Sequence, residues 1–143
     1  MNKTASRFPP LKAHTFAAAA GLLFSLGAPL VATAADTQQF PDVLAAKVRP
    51  LAADGFDFDV TISSPYDSPQ RYADGFRVTG ADGTVYGERK LFHDHASEQP
   101  FTRDLYGVVI PPTLRTVRIQ ARDQRYGYGG KTIEVSLPGR HGN

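Results

Sequence analysis

Phe56-Asp57-Phe58-Asp59-Val60-Thr61-Ile62-Ser63 carries an apolar side chain at every even position and a polar one at every odd position. A period of two belongs to an extended chain whose side chains alternate between faces. The stretch therefore reads as a β-strand with Phe56, Phe58, Val60 and Ile62 in a core and Asp57, Asp59 and Thr61 in solvent. Residues 43–51 upstream mix Val, Leu and Ala with Lys47 and Arg49, and Ala52-Ala53-Asp54-Gly55 lies between the two segments. Asp-Gly is a strong hairpin dipeptide, so a first hairpin with Ala52-Ala53-Asp54-Gly55 as its turn is expected.

Further along, Pro65, Asp67, Ser68 and Pro69 make residues 64–72 a loop. Phe76 and Val78 alternate with Arg77 and Thr79, and Gly80-Ala81-Asp82-Gly83-Thr84 turns the chain into an extended segment over residues 85–92, a second hairpin. Residues 101–110 are extended and end at Pro111-Pro112, which cannot donate to a ladder. Val117, Ile119 and Ala121 alternate with Arg118, Gln120 and Arg122, and Ile133, Val135 and Leu137 share a face beyond a Gly-rich turn, a third hairpin. About seven strands with turn signals between them, and no helical period, specify an all-β antiparallel β-sandwich. The segment Val117-Arg118-Ile119-Gln120-Ala121-Arg122-Asp123 and its return strand to Val135 resembles the final hairpin of bacterial immunoglobulin-like and fibronectin-type-III-like domains. That resemblance implies an immunoglobulin-like sandwich, with Phe76 in the place of the large aromatic those domains carry on the third strand. It implies no activity.

Ahead of this domain, Lys3, Arg7 and Lys12 precede an uncharged run over residues 16–31, and Ala32-Thr33-Ala34 offers small side chains for cleavage. This is the pattern of a secretory signal peptide over residues 1–34, with a mature chain starting at Ala35 or Asp36 in the periplasm or outside the cell. The run is shorter than a membrane helix requires and is interrupted by Gly21, Gly27 and Pro29, so no membrane insertion is expected after cleavage. The expected organisation is a short mature segment over 35–40, the sandwich over 41–138 and a loose tail over 139–143. The leader holds three of the 16 Lys+Arg and none of the 14 Asp+Glu, so its removal moves the net charge from +2 to −1. A basic face for nucleic acid is then not expected. With no Cys, the domain has to be held by its apolar core.

Two clusters carry chemistry. Arg125-Tyr126-Gly127-Tyr128-Gly129-Gly130 places Tyr and Arg on a Gly-rich tip, and Tyr66 and Tyr72 lie in another loop. Such residues supply rigid amphipathic contact area, so a loop surface for a protein, peptide or glycan is expected, with Tyr126 and Tyr128 dispensable for stability. The same glycines would serve a plain turn, and the same tyrosines could cover a sheet edge. The second cluster is His93-Asp94-His95 with Glu98, to which His141 could add a donor. Two imidazoles on one side of an extended chain can share Cu(II), Ni(II) or Zn(II), the absence of Cys and mature Met disfavouring Cu(I). A solvated turn explains them equally. No nucleophile elbow accompanies Ser97 and His95, and Asp57 and Asp59 belong to an outer face, so a non-enzymatic protein is expected.

Overall fold

A computed structural model describes residues 38–140, and the leader and His141 lie outside the described residues. Eight strands run in this order: β1 (Asp42–Pro50), β2 (Gly55–Ser63), β3 (Ala73–Thr79), β4 (Val85–Lys90), β5 (Phe101–Val109), β6 (Thr116–Asp123), β7 (Gly127–Tyr128) and β8 (Ile133–Ser136). A single 3-10 turn, Ala96–Glu98, lies between β4 and β5. One sheet has the order β1-β2-β5; the other has β4-β3-β6-β7, with β8 also on β6, and every pairing is antiparallel. The protein is an all-β sandwich, and the additional strand is the two-residue β7 inside the Gly-rich tip.

The alternation in residues 56–62 does what its period demands: Phe56, Phe58, Val60 and Ile62 are buried with Phe76, Val78, Val117 and Ile119. Ile133 and Val135, on the edge strand β8, are half-buried against that core. Asp57, Asp59, Thr61 and Gln120 are not in open solvent as expected but half-buried. Arg49 on β1 is ion-paired to Asp59 and lies 3.9 Å from Asp57, whose Oδ1 also accepts the Gly107 N–H at 2.9 Å. The Thr61 hydroxyl meets Thr102 at 2.8 Å, and Gln120 accepts from Arg77. The first hairpin turns over residues 52–55, as expected. Ala53 and Asp54 hold positive φ (52° and 58°), and Gly55 N–H closes the turn on the Ala52 carbonyl at 3.2 Å. Two positive φ values at the central positions match strand twist, so the dipeptide requirement falls on Ala53-Asp54.

The domain begins before Asp42. The Gln38 amide donates to the Ser63 carbonyl at 2.6 Å, and Phe40 packs edge-on to Tyr126. At the other end Arg140, expected in a loose tail, is held: its guanidinium donates to the carbonyls of Ile110, Pro111 and Leu114 and to Asp54 Oδ1 at 3.0 Å. The two sheets approach each other along two sides. On the β1/β8 side the gap is stitched, Val43 N–H donating to the Lys131 carbonyl at 2.9 Å and Lys131 N–H to Asp42 Oδ1 at 2.7 Å. On the other side β4 and β5 are the edge strands of their sheets.

Candidate functional site

The Gly-rich tip is built on Asp123, the last residue of β6, whose side chain is fully buried. Its Oδ1 accepts the backbone N–H groups of Arg125 and Tyr126, both at 2.8 Å, and its Oδ2 accepts Arg71 Nε at 3.0 Å. Burial alone pushes the Asp123 carboxyl up, but these hydrogen bonds and the Arg71 charge outweigh it and hold the group below the usual carboxylate range. Arg71 lies between two rings, 4.2 Å from the centroid of Tyr66 and 4.7 Å from that of Tyr126. Burial raises the Tyr66 phenol. Gly129 and Gly130 are required by close approach, since a Cβ would fall 2.4 Å from the Phe40 ring or 2.3 Å from the Pro41 carbonyl. The tip is therefore packed down on residues 40 and 41, and Tyr66 and Tyr126 clamp an ion pair. The Arg71 contact stands against the expectation that Tyr126 is dispensable for stability, although Tyr126 is itself 49% exposed; Arg125 is exposed.

The histidine segment divides in the same way. His95 is 2% exposed, its ring stacked on Phe101 at 4.0 Å, and its backbone N–H donates to Asp67 Oδ2 at 3.0 Å. Asp67, buried in the β2–β3 loop, also accepts Ala73 N–H and so ties that loop to β3 and to the histidine segment. His95 Nδ1 has no hydrogen-bond partner and lies 3.9 Å from Asp67 Oδ2. Burial first, then the charges of Arg103 and His93, push the His95 imidazole below its ordinary value. His93 is exposed and its Nδ1–H donates to the Asp94 carbonyl at 2.9 Å. The two rings are 4.7 Å apart, but Asp94 caps Ala96 N–H and Glu98 pairs with Arg103 at 3.1 Å. Among the described residues no three His, Asp or Glu side chains converge as a metal-ligand set. Among the described residues the shared-cation expectation for His93 and His95 thus finds no third donor, because both neighbouring carboxylates are engaged elsewhere; His141 lies outside them.

Tyr72 and Tyr128, the other two expected contact residues, come together on the outer face of the larger sheet. With Asp74, Glu88 and Arg122 they line a depression of about 430 Å3. Arg122 is ion-paired to Asp74, and Arg77 lies 3.7 Å over the Tyr128 ring while donating to Gln120. Burial, then Glu88, raises the Tyr128 phenol. A second depression, about 600 Å3, runs between β4 and β5 past Arg89, Leu105 and Tyr106. Glu88, Lys90 and Phe92 line both, and Phe92 is 82% exposed. Phe92 was not among the expected contact residues. The signal was present in the period-two pattern: Phe92, two residues beyond the end of β4, continues the outer parity of Glu88 and Lys90, and an aromatic in that series has no core to enter.

No protein-family model matches the chain, and no curated protein matches it.

Proposed function

We propose that the chain is an exported, non-enzymatic binding module whose contact surface is the β4 side of the larger sheet, centred on Phe92. Phe92 carries the assignment: an aromatic ring 82% exposed, between two depressions lined by tyrosines and charged side chains, combines the apolar anchor and polar surround of a recognition surface. Tyr72 and Tyr128 belong to this surface, and Tyr66 and Tyr126 support the fold beside it. The ligand is a protein, peptide or glycan. Export rests on the leader pattern of residues 1–34. An immunoglobulin-like relationship is supported by the strand order, with the first, second and fifth strands in one sheet and the third, fourth, sixth and eighth in the other.

The test presents the immobilised domain to a glycan array and to a random-peptide display library. Phe92→Ala should weaken the selected ligand by at least about tenfold, the range of a central anchor residue, with the thermal midpoint unchanged. Wild-type affinity in Phe92→Ala would overturn the assignment.

A further inference from the structure

A smaller pocket of about 90 Å3 opens beside Phe92, and its lining includes Arg89, Lys90, Arg103, His93 and His95 and no carboxylate. Arg89 has an unusual placement. Gly87 and Leu91, two residues to either side, face the sandwich interior: a Cβ on Gly87 would fall 2.9 Å from Val108, and Leu91 is 6% exposed. Alternation puts Arg89 on the same inward side, at the level where β4 and β5 part. Its Nε is buried with no hydrogen-bond partner, and its terminal nitrogen lies 3.9 Å from Asp104 Oδ1, beyond hydrogen-bond reach. A buried guanidinium N–H without an acceptor is costly, and an acceptor arriving in solution removes that cost. Burial first, then the charges of Arg103 and His93, lower the His95 imidazole, while Glu98 and Asp67 act against them.

We infer that this pocket is an oxyanion site, taking a phosphate or carboxylate group through Arg89 Nε with Lys90 as the flanking cation, Arg103 being already paired with Glu98 at 3.1 Å. A forked guanidinium and an ammonium around one small cavity match the geometry and charge of such a group, and about 90 Å3 holds one of them or a few waters. The imidazoles suit such a group, because a protonated or neutral imidazole N–H donates to an anion where a metal needs a lone pair. The inference rests on the binding-module proposal and names its ligand chemistry: Phe92 lines this pocket too, so the anionic group would belong to a ligand whose apolar part meets the ring.

The experiment titrates the mature protein with inorganic phosphate, acetate and phenyl phosphate, following the arginine Nε–H resonances by NMR. Saturable shifts of Arg89 are expected with phosphate or acetate, the tighter of the two identifying the group. Arg89→Gln should weaken that anion about tenfold, and Arg118→Gln, an exposed change on β6, should not. Phe92→Ala should weaken phenyl phosphate and leave inorganic phosphate unchanged. Absence of saturable shifts in the wild-type protein, a direct reading that needs no variant to fold, overturns the oxyanion site, as does equal binding by Arg89→Gln. Phe92 and its selected ligand are untouched by that failure, and conversely a failed Phe92→Ala test leaves anion binding to be read by itself.

Discussion

Asp123 is a fully buried carboxylate that closes a turn, fixes an arginine and so holds two tyrosines in place. Removing it leaves Arg71 and two backbone N–H groups short of an acceptor. Asp123→Ala should therefore cost about 3 kcal/mol, the low end for breaking a buried pair because Arg71 keeps some contact with water, as measured by urea denaturation. His95 governs a different range of pH. Its folded-state value is depressed by burial, so the unfolded chain takes up the proton first, near pH 6.5. Stability is then fully present above that value and falls as pH drops towards the folded-state value. Midpoints of urea unfolding should fall between pH 7.5 and pH 5.5 in the wild type, and His95→Gln should flatten that slope. At this scale the sequence was a partial guide. It named Tyr66, Tyr126 and His95 as notable, but their roles depend on Arg71, Asp67 and Phe101, partners brought close only by strand pairing.

At the scale of elements, legibility followed regularity of the ladder. β2 and β6 alternate without interruption across their buried faces, and both were plain in the sequence. β1 was expected as the partner of β2, but which of its faces enters the core was not plain, because its pairing slips between Val43 and Ala45. Val43 faces inward from an odd position, whereas Ala46 and Val48 pack on the core from even ones. β5 slips as well, opposite Phe56 and Phe58, where Gly107 adopts φ 64°. Such a bulge re-aims the side chains around it, and Tyr106 and Val109 are left 64% exposed. Between β3 and β4 the pairing slips at Val78 and Thr79, but at the other end of β3 the two strands leave no space for a side chain. A Cβ at Gly75 would stand 2.6 Å from the Arg89 carbonyl, which is backbone and cannot turn aside. Gly75→Ala should thus destabilise by about 1–3 kcal/mol, visible as a lower urea midpoint, and should disturb the strand that carries Arg89 and leads into Phe92.

For the whole molecule, the decisive feature is which strands occupy the middle of each sheet. Hairpins tie β1 to β2 and β3 to β4, but the sandwich is completed by partners far along the chain: Gly55 pairs with Val109 in one sheet and Ala73 with Asp123 in the other. Neither central strand, β2 nor β3, can finish its ladder until the last third of the chain is available. Time therefore enters. Topologies dominated by such distant pairings fold in milliseconds to seconds, orders of magnitude slower than helical bundles of the same size. A chain delivered through a membrane from its N-terminus would present Phe56, Phe58 and Phe76 before the strands that cover them. Throughout that interval, with no disulfide to hold an intermediate, those apolar edges would be open to pairing with other chains.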